Sequence, residues 1–346
     1  MNDLKDFIIK DGVLKKYKGD GGDVAIPDAV KSIGDYAFSG CSSLTSITIP
    51  SSVTSIGRWA FENCTSLKSV NIPKSVKNIG SWAFSGCSSL GNITLPNGMK
   101  SIVNDVFRKC SSLTSIIIPK SVNSIGESAF AGCKQLTNIT IPDSVTSIDY
   151  NAFYEAGYYN DNSNWENDVL YIGNHLIATR VVTHSGDYVI KDGTKTIVAH
   201  AFSNSWFRNI TIPDSVTNIG DAAFSYSKSL TSITIPNGVK SIGWRMFWNC
   251  DSLTSVTIPN SVKSIRRNAF EKCKSLTNIV IPNGVKSIVK ETFRDCSSLT
   301  SITIPNTVTS IGKWAFLGCK KLTIHAPADS YAESYAKENN IPFVAE

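Results

Sequence analysis

A solenoid of stacked, mainly β coils is the fold this sequence predicts, and three periodic features predict it. Prolines that follow an apolar residue recur every 23 residues, at Pro27, Pro50, Pro73, Pro96, Pro119 and Pro142, and the period resumes from Pro213 to Pro305. One phenylalanine column, running from Phe38, Phe61 and Phe84 to Phe316, takes 12 of the 15 phenylalanines in the chain. An L-x-x-I-x-I segment precedes most of these prolines, as in Leu44-x-x-Ile47-x-Ile49 and Leu253-x-x-Val256-x-Ile258. A unit of 23 residues cannot bury its own apolar set and must stack on its neighbours.

Each part of the unit has its own expectation. The L-x-x-I-x-I segment alternates and is rich in Ile, Val and Thr, which reads as a strand in a parallel sheet with coils about 4.8 Å apart. Proline closes that strand where no ladder donor is needed. The following V-x-x-I reads as a second short strand, and x-x-A-F-x-x-C as one helical or 3₁₀ turn. The fold class is a leucine-rich-repeat solenoid of the α/β repeat class, mainly β with short helical or 3-10 turns. It is expected as a curved right-handed superhelix with capped ends.

The unit I-P-x-x-V-x-x-I-G-x-x-A-F-x-x-C-x-x-L-x-x-I resembles the BspA-like leucine-rich-repeat family over residues 26–153 and 191–325. That resemblance implies a bacterial surface protein of the adhesion type. It carries over no catalytic residue.

Two places depart from the unit. Residues 1–25 are expected to form an N-terminal cap hairpin ahead of repeats 26–153. Residues 154–190 break the array, and Gly173-Asn174 within VLYIGNHLIA reads as a two-residue hairpin turn. We read the break as a second cap-like hairpin, the alternative being a flexible hinge. Repeats resume over 191–325, and residues 326–346 are expected to form a capping helix, with Ser330 and Glu333 at capping-box spacing.

Bulk composition narrows the function classes. The 346 residues are 42% hydrophobic and 18% charged, which excludes a disordered chain. A net charge of +6 falls short of the basic density of a nucleic-acid binder. No apolar run is long enough to span a membrane. The start MNDLKDFIIKDG has no apolar leader core. The expected location is therefore the cell surface or exterior if a leader has been removed, and the cytoplasm if Met1 is the native start.

Candidate chemistry was sought at each unusual residue. All nine cysteines, Cys41 to Cys319, occupy one repeat position that elsewhere holds Ala156, Ser205 or Ser227. A position that accepts alanine calls for a small buried residue, not a nucleophile or metal ligand. The glycine of the I-G step gives way to Val103, Val198 and Val289, so it does not cradle phosphate. The histidines His175, His184, His200 and His325 have no ligand or acid at catalytic spacing. No catalytic residue, metal or cofactor is assigned.

Binding residues are sought where coils differ. Lys240, Lys263 and Lys286 share one repeat position and are expected to stack as a like-charge column that needs compensation. Near them in sequence come Trp244, Arg245, Arg267 and Lys290, a basic and aromatic stripe suited to acidic glycans or an anionic protein surface. Tyr158, Tyr159 and Trp165 in the break are the second candidate set, as interface aromatics or as packing of an irregular coil. Arg58 and Trp59 sit at two further variable positions. The expected function is a non-enzymatic scaffold that recognises a protein or glycan ligand, with an intracellular protein-interaction scaffold as the alternative. A monomer without nucleic-acid or membrane-spanning partners is expected.

Overall fold

The computed structural model describes residues 4–180 and 186–346. His184 lies outside them. The described chain divides into two compact units, Met1–Glu166 and Asn167–Glu346.

Each unit is a stack of coils joined by parallel ladders. One ladder is the L-x-x-I-x-I segment, in register as Ile47↔Val70↔Ile93 in the first unit and Ile279↔Ile302↔Ile324 in the second. The V-x-x-I segment makes a second ladder of two-residue strands, with Ile33↔Ile56↔Ile79 aligned. Between the ladders the phenylalanine column forms a continuous ring stack. From Phe38 to Phe153 successive centroids lie 5.0, 5.1, 5.7, 5.5 and 5.4 Å apart with planes within 17° of parallel. The second unit repeats this from Phe202 to Phe316. The period of 23 thus places like on like, and every ring is dry except that of Phe316, which keeps 7% of its surface.

Both units begin with an antiparallel hairpin. Phe7–Lys10 pairs with Val13–Tyr17 around Asp11-Gly12, both of which have positive φ, as a type I′ turn requires. Leu14 then pairs in parallel with Ile33, and Tyr17 stacks on Phe38 at 5.1 Å to start the ring column. In the second unit Val169–Ile172 pairs with His175–Thr179 around Gly173-Asn174, and Leu176 pairs with Ile197. At the far end, helix Tyr331–Glu338 is capped by Ser330, whose hydroxyl accepts from the Glu333 amide at 3.2 Å. Tyr335 sets its ring edge on Phe316 at 6.0 Å.

The segment x-x-A-F-x-x-C differs from the expected helical or 3₁₀ turn. It is a pair of tight turns carrying two left-handed residues per coil, for example Trp59 (φ 54) and Asn63 (φ 56). A 3₁₀ turn needs negative φ throughout. The left-handed residues instead swing alternate amides toward the next coil: Trp59, Phe61 and Asn63 donate to Ser81, Ala83 and Ser85 carbonyls at 3.1, 2.7 and 2.8 Å. Tertiary hydrogen bonding overrides local preference here, and a third ladder results. The glycine of the I-G step has negative φ and serves close approach. A Cβ on Gly80 would lie 2.5 Å from the Arg58 nitrogen.

Strand hydroxyls also bond to the backbone of the neighbouring coil. Thr254 and Thr300 donate to the backbone carbonyls of Thr231 and Thr277, one coil back, at 2.9 and 3.0 Å. These two hydroxyls thereby reinforce the ladder.

Candidate binding ridge

The cysteine column is packing. Cys64, Cys87, Cys110 and Cys133 donate their thiols to the carbonyls of Phe38, Phe61, Phe84 and Phe107, each at 3.1 or 3.2 Å. Ser227 makes the same bond to Phe202 at 2.8 Å, which explains why serine replaces cysteine in that coil. Burial pushes the Cys87 and Cys133 thiols up to about 12, so neither is a thiolate at neutral pH. All nine cysteines are free thiols.

The left-handed columns define the surface that varies. The second column holds Gly40, Gly86, Gly132 and Gly318, then Asn63, Asn204, Asn249 and Asp295, and also Lys109, Glu155, Tyr226 and Lys272. The first column has no glycine at all. It reads Tyr36, Trp59, Trp82, Asp105, Ser128, Asn151 in the first unit, then His200, Ala222, Arg245, Asn268, Glu291, Trp314 in the second. None is glycine, although an L residue there costs about 1–2 kcal/mol. Apart from Asp105, Asn151 and Asn268, whose residue types tolerate this region, side chains are therefore retained against backbone preference.

In the second unit those side chains, with their sequence neighbours, make a charged and aromatic ridge. The Arg245 guanidinium carbon lies 4.4 Å from the Trp244 ring centroid and 4.1 Å from that of Trp248. Arg267 donates through Nε and Nη2 to Glu291 Oε2 at 3.0 and 2.8 Å. Asn268 bridges the Glu271 and Glu291 carboxylates at 2.5 and 3.2 Å. Arg294 Nη1 stands 3.6 Å from Glu291 Oε1. Burial pushes the Glu291 carboxyl up, but hydrogen bonds from Arg267 and Asn268 and the charges of Arg267 and Lys290 outweigh it, leaving its pKa below the ordinary value. Lys290 and Lys313 place their ammonium groups 4.8 and 4.3 Å from the Trp314 ring centroid.

Of the residues singled out from the sequence, Trp244, Arg245, Arg267 and Lys290 lie on this ridge. Lys240, Lys263 and Lys286 form a separate exposed column. Among the described residues, Lys240 and Lys286 make no side-chain hydrogen bond or ion pair, and Lys263 donates only to the Asn260 carbonyl at 3.3 Å. Charge compensation is found on the ridge, through Glu271 and Glu291, and not in the lysine column.

Tyr158, Tyr159 and Trp165 join in one half-buried cluster of the first unit. Tyr159 meets Trp165 edge-on at 5.1 Å, and the indole Nε1 donates to the Tyr159 carbonyl at 2.8 Å. Asn164 donates to the Tyr158 carbonyl at 2.9 Å. These contacts hold the irregular segment on its own coil.

Two surfaces go beyond the residues singled out from the sequence, which on the first include Trp59 but not its partners. Tyr36 stacks on Trp59 at 4.7 Å with planes 6° apart, and Arg108 lies 5.6 Å over the Trp82 ring. The signal was available as an aromatic in the same repeat position of three successive coils. A cleft of about 710 Å³ also follows the second left-handed column of the first unit, past Asn63, Gly86, Arg108, Lys109, Gly132 and Lys134. Its only sequence trace is small residues alternating with cations one period apart.

Among the described residues no cluster of metal-ligating side chains occurs, and no helix is long and apolar enough to cross a membrane. Parallel ladders, a continuous ring stack and variable residues confined to columns define a repeat-built binding scaffold of the leucine-rich-repeat class. The BspA-type leucine-rich-repeat region matches residues 16–116, 100–180 and 189–323 in six copies. The chain belongs to that family. Similar solved structures include a leucine-rich-repeat protein of Bacteroides ovatus, 27% identical, covering 97% of this chain and 94% of its own, with a TM-score of 0.44. A leucine-rich cell surface protein of Faecalibacterium prausnitzii is 28% identical over 95% of this chain and 94% of its own, also at 0.44. The pneumococcal vaccine antigen PcpA is 20% identical over 94% and 79%, at 0.44. Among curated proteins none matches the chain closely enough to count as a relative.

Proposed function

We propose that this protein is a non-enzymatic recognition scaffold of the cell surface, and that it binds an anionic protein or glycan through the ridge of the second unit. The supporting observation is the first left-handed column. Six coils in each unit keep a side chain where glycine would relieve strain, and the chain places Arg245, Glu291 and Trp314 there. Exposed cations held against indole faces suit acidic ligands, because the aromatic contact fixes the cation without neutralising it. Two cysteine-free surfaces, the ridge and the strand face, leave affinity to shape and charge with no chemical step.

Binding to arrays of sulfated, carboxylated and neutral glycans and of acidic peptides tests the proposal. We expect salt-sensitive capture that Trp244→Ala with Lys290→Gln weakens at least several-fold, while Lys240→Gln with Lys286→Gln leaves it nearly unchanged. Equal loss from both pairs would reassign the face to the lysine column. Binding insensitive to salt and to either pair removes the ridge from consideration.

A further inference from the structure

The cleft of the first unit is a groove with a closed floor. It runs past Asn63, Gly86, Lys109, Gly132 and Glu155, one residue from each of five coils, for about 19 Å at a coil spacing of about 4.8 Å. Gly86 and Gly132 open it, because the coils between them and on either side carry side chains at the same position. The floor has no room for another strand. The Gly86, Lys109 and Gly132 amides already donate to the Arg108, Ala131 and Tyr154 carbonyls at 2.7, 2.8 and 2.8 Å. The carbonyls of the same three residues accept from the Ser88, Ser111 and Lys134 amides at 2.8, 2.9 and 2.9 Å. An extended peptide that adds main-chain pairs therefore finds none to make.

The groove instead presents side-chain groups. Ser88 and Ser111 donate their hydroxyls to the Thr65 and Ser88 carbonyls one coil back, at 3.3 and 3.2 Å, which leaves both hydroxyl oxygens able to accept. Lys109 and Lys134 are exposed and, among the described residues, make no side-chain hydrogen bond or ion pair. Arg108 is paired with Asp105 at 3.1 Å. Among the described residues that line the groove, Glu155 is the one acid. Beside it Tyr154 is exposed, its ring meeting Tyr159 edge-on at 5.5 Å.

This combination fits a sugar chain. Sugar hydroxyls donate to serine and carboxylate oxygens, the C–H face of a pyranose lies against an aromatic ring, and a sugar carboxylate pairs with an ammonium group. Glu155 disfavours densely sulfated chains, which bring more negative charge than two lysines balance. We propose that this groove binds a carboxylated oligosaccharide, with Lys109 and Lys134 taking its acid groups and Tyr154 a sugar face. The groove is a separate site from the ridge of the second unit and stands whether or not the ridge binds a ligand.

The test is calorimetric titration with an oligogalacturonate, using the full chain with Trp244→Ala and Lys290→Gln in place to disable the ridge. We expect saturable binding that Lys109→Gln with Lys134→Gln weakens about two- to ten-fold, the effect of two exposed charges. Gly132→Asn should weaken it several-fold by filling the groove. Asn63 shows that the column accepts this residue type, and a Cβ at Gly132 would make ordinary contact, 3.4 Å from Lys109 Cγ. Lys240→Gln with Lys286→Gln removes the same charge elsewhere and should leave the affinity unchanged. Methyl esterification of the oligogalacturonate should weaken binding several-fold. The site is overturned by absence of binding, by equal loss from the two lysine pairs, or by full affinity for the ester or in the Gly132→Asn protein. Tighter binding of polyglutamate or of a sulfated glycan would likewise overturn the assignment.

Discussion

Ala222 and Ala223 are adjacent, buried to 1% and 0% exposure, and differ in one respect: Ala222 has φ 54 and Ala223 is not left-handed. Replacing each by glycine therefore isolates the cost of the first left-handed column. At Ala223, glycine loses about 0.5–1 kcal/mol to backbone entropy and about 0.8 kcal/mol for a buried methyl group. Ala223→Gly should destabilise by about 1.5 kcal/mol. At Ala222 the same losses apply, but glycine recovers the about 1–2 kcal/mol that an L residue forfeits in the left-handed region. Ala222→Gly should be close to neutral. The difference is the measurement: urea unfolding followed by circular dichroism, with unchanged m-values, should separate the two variants by about 1–2 kcal/mol. Equal destabilisation would refute the view that this column is strained. With it would go the reason for treating Tyr36, Trp59, Arg245 and Trp314 as side chains kept for what they present.

Other outcomes are expected on the same footing. Phe270→Ala removes a fully buried ring stacked at 5.3 Å on Phe247 and 5.2 Å on Phe293, and should cost about 4 kcal/mol by thermal or urea unfolding; a loss under about 1 kcal/mol would mean the ring stack is not the core. Cys87→Ser should fold and lose little, since Ser227 already makes the equivalent carbonyl bond, and a disulfide-exchange reagent should find nine thiols after denaturation and almost none before it, apart from the less buried Cys41. The Glu291 pKa is lowered in the fold, so its contribution to stability is present above the ordinary carboxyl value of 4.5 and is lost as pH falls through the folded value; Glu291→Gln should remove part of the acid-side fall in melting temperature, and an unchanged pH profile would contradict the Arg267 pairing.

What could be read from the residues follows from their period. Parallel strands at Leu44–Thr48 and Ser55–Ile56, the ring column and the small buried position of Cys64 all need only that residues 23 apart share an environment. The same logic explains why Cys64, Glu62, Arg58 and Trp59, so close in sequence, do not make a reactive site. Cys64 faces the core and binds a carbonyl, while Trp59 points outward to stack on Tyr36.

Pairings between coils could not be read this way. Which carboxylates would quiet the basic residues depended on a spacing of 24 between Arg267 and Glu291, one more than the period, and on Asn268 bridging two acids. Lys240, Lys263 and Lys286 looked like part of the same stripe because a linear sequence does not say that the short strands Ser241–Ile242, Ser264–Ile265 and Ser287–Ile288 separate two columns. The left-handed turns were hidden for a related reason. Trp59 and Trp82 have no intrinsic preference for positive φ, and only the carbonyl row of the next coil makes that conformation favourable. By itself the sequence determined the repeat and its core, because each depends on residue type at a fixed period. The tertiary structure decided which charges are paired and which aromatics face outward, because each depends on contacts between coils that no single unit encodes.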